Sequence, residues 1–148
     1  MVSWTHFNSK LYPYAISQPS SFRHIVLSVA GQQSSDYFSP GLGSYTTNVN
    51  ISASRGPVVN VARDLKERDG VHVRASGAVA VLGRQMTLTR ADFRGLAGTW
   101  VEEQLSFAAG GYSWRLTASY DTRYKRMRST MLKMLQSFRL HPLPARSR

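Results

Sequence analysis

The glycine pair Gly110-Gly111 constrains this chain more than any other feature of its sequence. Before it runs Thr99-Trp-Val-Glu-Glu-Gln-Leu-Ser-Phe-Ala-Ala109, and after it Tyr112-Ser-Trp-Arg-Leu-Thr-Ala-Ser-Tyr120. In the second run Tyr112, Trp114, Leu116, Ala118 and Tyr120 alternate with Ser113, Arg115, Thr117 and Ser119. That is the period of a strand with one face buried. Two consecutive glycines supply the positive φ angles that a two-residue hairpin turn needs. With the turn there, Ala109 pairs with Tyr112, Phe107 with Trp114 and Leu105 with Leu116. Both strands then agree on their apolar face, whereas a slip of one residue would turn Trp114 to water.

A helix is expected to follow, capped by Asp121 and running to Leu140. Tyr124, Met127, Met131, Met134, Leu135 and Phe138 recur along it at three- and four-residue steps, a stripe that faces a core. Opposite the stripe lie Arg126, Ser129, Thr130, Lys133 and Ser137, flanked by Arg123 and Lys125. The rest of the chain reads more coarsely. Strands are expected at residues 14–17, ended by Pro19, at 24–30 and at 46–52, with a turn-rich stretch at 32–44. A helix is expected over residues 57–69, with proline near its start and glycine just past its end. Residues 71–75, 78–82 and 85–91 make two or three further strands, and 92–98 a loop.

Residues 1–11 carry no period and read as a flexible arm, and 141–148 as a proline-broken basic tail; residues 12–140 form one α+β domain. Strands and helices in this order imply an antiparallel sheet of six or seven strands covered by helices.

Two segments resemble PsbP-like domains, the group that includes PsbP, DcrB- and LpqN-type proteins. Tyr14-Ala-Ile-Ser-Gln-Pro-Ser-Ser-Phe22 is similar to their opening, where a short strand leads into Pro-x-x-aromatic. Gly111-Tyr-Ser-Trp-Arg-Leu-Thr117 and the helix ending Met134-Leu-Gln-Ser-Phe-Arg-Leu140 are similar to their close. The resemblance implies an α/β/α sandwich around a central antiparallel sheet, in a family whose members mostly bind proteins and do not catalyse. Two departures stand out: Phe22 occupies the place where Trp is usual, and the lipoprotein cysteine of many bacterial members is absent.

The chain has no cysteine, which excludes disulfides, thiolate metal sites and cysteine nucleophiles. No apolar run approaches the length of a membrane span. A soluble domain is therefore expected, either cytoplasmic or part of a longer exported chain. Its formal net charge is +11, with eight basic residues and one acid from Asp121 onward. Such asymmetry suits an anionic partner, although 15 of the 19 basic residues are arginine, a bias that base composition of the gene alone can produce. The four histidines, His6, His24, His72 and His141, have no second ligand at metal-binding spacing. Of the adjacent carboxylates Glu102 and Glu103, the hairpin register puts Glu103 on the apolar face opposite Ala118. Buried there, its pKa would rise unless a cation reached it. It is the best single candidate for a functional acid, but a sheet-edge or snorkelling position is the preferred reading. Gly41-x-Gly43 is no phosphate loop, and Asn50-Ile-Ser52 lies within an expected strand, where a glycosylation sequon occurs by chance.

No catalytic, cofactor or metal residues are expected. Function is expected to be protein binding, as an assembly or adaptor module, with homodimerisation possible. The surface residues proposed to meet a partner are Arg115, Arg123, Lys125, Arg126 and Lys133. The alternatives are binding of nucleic acid or acidic membrane through the basic helix face, or an enzyme with Glu103 in a pocket.

Overall fold

A computed structural model describes residues 2–68, 72–96 and 98–143. The hairpin is its centre. Strands β8 (Gly98–Ala109) and β9 (Tyr112–Asp121) pair antiparallel in the expected register, with Phe107 opposite Trp114 and Leu105 opposite Leu116. Gly110 and Gly111 sit at φ of 59° and 79°, the left-handed values the turn requires. Around this pair grows a seven-stranded antiparallel sheet in the order β3 (Arg23–Leu27), β4 (Ser35–Ser39), β5 (Asn48–Ser54), β9, β8, β7 (Arg84–Gly95), β6 (His72–Val81). The stretch at 72–91 thus makes two strands, with an irregularity between Ala75 and Gly77.

The inner face of the sheet carries Val49, Ile51, Leu105, Phe107, Trp114 and Leu116, all buried. It is covered by helix α2 (Arg128–Gln136) and by a small sheet of β1 (Trp4–Asn8), β2 (Tyr14–Pro19) and β10 (Arg139–Leu140). Phe138 anchors this layer: its ring stacks on Tyr14 and meets Trp114 and Phe107 edge to face. On the outer face, the short helix α1 (Val61–Lys66) sets Val61 and Leu65 against Ala91 and Phe93. Helices on both sides of one antiparallel sheet make an α+β sandwich.

Several expectations are corrected. Residues 4–8 are not a loose arm: they pair with β2 from Trp4↔Pro19 to Asn8↔Ala15, a pairing made by backbone groups that leaves no sequence period. Within the turn-rich stretch, β4 forms with Asp36 and Phe38 buried while Tyr37 and Ser39 are only half-buried, the alternation of a strand. The loop expected at 92–98 is largely strand, since β7 continues to Gly95. The first helix is shorter than expected: it begins only after Asn60, which caps it by accepting the Arg63 amide, and it ends at Lys66.

The last helix is the largest correction. Asp121 does cap it, accepting the Arg123 amide, but the first segment (Thr122–Met127) is a 3₁₀ turn with Tyr124 outside helical angles. The kink resets the helical phase, so Tyr124 and Met127 are only half-buried while Met131, Met134 and Leu135 are fully buried. The helix also stops early. The Ser137 hydroxyl donates to the Met134 carbonyl and accepts the Ser17 amide of β2, which redirects Phe138–Leu140 into a strand beside β2. Residue 69 of the expected first helix, residue 71 of an expected strand, residue 97 of the expected loop and residues 144–148 of the expected tail lie outside the described residues. Among the described residues no helix is long and apolar enough to cross a membrane.

Candidate functional site

Glu103 lies where the register put it, opposite Ala118 and completely buried. A cation does reach it. Arg128, at the start of α2, donates to both carboxylate oxygens at 2.6 and 2.9 Å, and the Ser76 and Tyr120 hydroxyls donate at 2.7 and 2.9 Å. Burial pulls the carboxyl pKa upward, but the hydrogen bonds from Arg128, Ser76 and Tyr120 outweigh it and hold the group below the usual range. The same burial, with the Glu103 charge alongside, pushes the Tyr120 phenol up to about 12. Glu103 is therefore an ionised structural carboxylate with every lone-pair direction occupied. A general acid needs the opposite condition: a raised pKa and open access to a substrate.

The five expected basic contact residues do not form one surface. Lys125, Arg126 and Lys133 are exposed on the inner-face layer around α2. Arg123 folds back to chelate Asp121 at 3.1 and 3.2 Å. Arg115 points to the opposite side of the sheet, where it donates to Asp64 of α1 at 2.7 Å and to Gln104 at 2.8 Å. Ser137, read as outward, is turned into the contact with β2.

A second buried carboxylate escapes sequence reasoning. Asp36 of β4 is 1% exposed and accepts from Ser9 at 2.6 Å, Tyr14 at 2.7 Å and the His24 ring at 2.6 Å. It ties the small sheet to strand β3. Burial, with the Asp36 charge beside it, drives the Tyr14 phenol far upward. The only available signal was the alternation Ser-Asp-Tyr-Phe-Ser, too short to separate from a turn. His6 meets Arg139 instead of a metal ligand, and among the described residues no three His, Asp or Glu side chains converge on a metal position.

Two surfaces stand out among the described residues. The first is one edge of the large sheet, whose other terminal strand is β6. Strand β3 is terminal, and Ile25, Val26, Leu27 and, just beyond, Val29 are 53, 50, 38 and 47% exposed. Ile25 and Leu27 border a cleft of about 550 Å³ with Tyr37 and Tyr45. The second is a trough of about 540 Å³ on the outer face, running from Leu27 and Tyr45 to Trp100 and Arg68. Its floor is polar: Asn48, Asn50 and Ser52 of β5, Thr117 and Ser119 of β9, and Gln104 of β8.

No protein-family model matches the sequence, and no curated protein sequence matches it either. Its fold does match solved structures. A Bacteroides thetaiotaomicron VPI-5482 protein superposes with a TM-score of 0.61 at 15% identity, over 96% of this chain. This chain spans only 50% of that protein. The cyanobacterial PsbP (CyanoP) of Synechocystis sp. PCC 6803 gives 0.58 at 13% identity, covering 95% of this chain and 94% of its own. LpqN of Mycobacterium tuberculosis, a protein involved in cell envelope biogenesis, gives 0.55 at 12% identity, with 95% and 86% covered. The fold of this chain is PsbP-like.

Proposed function

We propose that this domain is a non-enzymatic protein-binding module, of the assembly or adaptor kind, that docks an extended segment of another protein along strand β3. The observation that carries the reading is the terminal strand itself. An edge strand presents unpaired backbone donors and acceptors, and soluble proteins normally protect such an edge with charge, proline or a covering element. Here Ile25, Val26 and Leu27 are all substantially exposed, on both faces of the strand, and Arg23 is the only formal charge in β3. A strand of a partner would complete the ladder and place its alternate side chains in the cleft beside Tyr37 and Tyr45. Two copies of a +11 chain repel one another, which favours a different protein over a homodimer. Both fully buried carboxylates, Glu103 and Asp36, are committed to structural hydrogen bonds, and this supports a role without acid–base chemistry.

The test places a photo-crosslinking amino acid at position 26 or at position 133 of the full chain, in extract from the source cells. The identified partner is then purified and titrated. Saturable binding that protects β3 amides from hydrogen exchange, and is lost in Val26→Lys, is the expected result. Binding at position 133 alone would overturn the edge reading, as would a nucleic-acid complex of submicromolar affinity at physiological salt with a steep salt dependence. A dimer in sedimentation that Val26→Lys dissolves would replace the foreign partner with a second copy.

A further inference from the structure

The outer-face trough meets the cleft beside β3 at Leu27, Tyr37 and Tyr45 and extends from there across the sheet, beyond the reach of a segment docked along β3. One cross-strand row forms its floor: Tyr37 opposite Asn50, Asn50 opposite Thr117, Thr117 opposite Gln104. From β3 to β8 the sheet advances four strand spacings, about 19 Å at the usual separation. A chain of several small units fits that span better than a single one.

The composition of the floor is unusual for a face that merely meets water. Asparagine is a poor strand former, yet β5 places Asn48 and Asn50 side by side on one face of a strand interior to the sheet. Long charged side chains would solvate the surface equally well. Instead the floor is built from short amides and hydroxyls, groups that can both donate and accept. The Asn50 amide nitrogen donates to Ser35, and among the described residues no side-chain hydrogen bond occupies its carbonyl oxygen or the Thr117 hydroxyl. The charges in the trough are already neutralised in pairs, Arg115 with Asp64 at 2.7 Å and Arg68 with Glu102 at 3.4 Å. Such a floor offers little to a polyanion. An apolar ligand would strip water from the amides and return nothing.

Tyr45 supplies the second, independent observation. Its backbone carbonyl is held to the floor by Asn48 at 3.1 Å, while its side chain stands 93% exposed at the rim. A fully exposed aromatic on an anchored backbone has no packing role in the fold. Its π-face suits the weakly positive C–H face of a sugar ring.

We propose that this trough binds a neutral oligosaccharide, with Asn48, Asn50 and Thr117 hydrogen-bonding sugar hydroxyls and Tyr45 stacking on a ring. Asn48, Asn50 and Thr117 lie across the sheet face, away from the backbone edge of β3, and only Tyr45 is shared with the cleft beside that edge.

The test uses the full ¹⁵N-labelled chain titrated with cellohexaose, chitohexaose and mannohexaose, and separately with a sulfated heparin hexasaccharide. At least one neutral sugar is expected to shift β5 and β9 amide resonances saturably, with an affinity that does not change with salt. Tyr45→Ala should weaken it by up to about tenfold, because an aromatic stacking contact of this kind carries about that much. Thr117→Val keeps the β-branched shape, removes the hydroxyl, and should weaken it several-fold. Val26→Lys, which tests the docking edge, should leave sugar binding unchanged. Absence of shifts with all three neutral sugars would overturn the proposal. So would binding of the sulfated sugar alone with a steep salt dependence, or shifts confined to β3.

Discussion

Removing the Arg128 guanidinium should convert Glu103 from a stabilising group into a destabilising one, and the pH dependence should reveal the conversion. Glu103 is 0% exposed and receives two of its four hydrogen bonds from Arg128. Breaking a buried pair by deleting one partner costs about 3–5 kcal/mol, chiefly because a charge is stranded. The Arg128 side chain is 39% exposed, and Ser76 and Tyr120 remain as donors. Both facts place Arg128→Ala at the low end, about 3 kcal/mol at pH 7. For a chain of this size that is a fall of about 6–12 °C in Tm.

The sign of the pH effect follows from the carboxyl itself. In the native protein its pKa is held below the usual range, so its contribution is complete above the ordinary carboxylate pKa. That contribution is lost as pH falls through the lowered value. Without Arg128, burial dominates and the pKa rises above the unfolded value. The penalty is then greatest at neutral pH and fades as acid protonates the group in both states. The gap between the two proteins, measured by urea unfolding, should be widest near pH 7 and narrow toward about pH 4. An equal gap at both pH values would refute this reasoning and assign the loss to packing of the arginine stem. Arg128→Met, which keeps much of that stem, should show the same narrowing.

Phe138→Ala should cost about 3–5 kcal/mol in equilibrium unfolding, since the ring is 3% exposed among three aromatic partners; a loss below about 0.5 kcal/mol would make α2 peripheral. Gly110→Val should impair folding, seen as reduced soluble yield and Tm. It forces a β-branched residue to φ of 59° and brings its Cβ within 3.1 Å of Leu140. The double change Arg126→Glu and Lys133→Glu should move stability by only about 0.5 kcal/mol, because both side chains are exposed and make no ion pair among the described residues. Retention on a cation-exchange column should nevertheless fall, as the net charge drops from +11.

What the sequence determined by itself is local. A diglycine turn between two period-two runs specifies the β8–β9 hairpin, its register and the burial of Trp114, because turn geometry and side-chain alternation act over a few residues. The register in turn placed Glu103 on the apolar face, where it would be a carboxyl of raised pKa, a group paired with a cation, or a side chain at the sheet edge or snorkelling to water. That it is paired, and with Arg128, 25 positions away, only the tertiary structure decided. The expected single helix from Asp121 to Leu140 is broken for a related reason, although Lys125, Arg126 and Lys133 are exposed as read. A period of 3.6 describes an unbroken helix, but Tyr124 leaves helical angles and Ser137 is claimed by Ser17, 120 residues distant. Asp36 shows the same limit, since its three partners come from β2, from the segment before it and from β3. The trough goes furthest. Its polar residues are ordinary outward positions of separate strands, and they become one floor only when backbone pairing aligns Asn50, Thr117 and Gln104. Pairing between strands is a long-range choice, made by the hydrogen-bond ladder and the buried inner face together, so no single segment carries it.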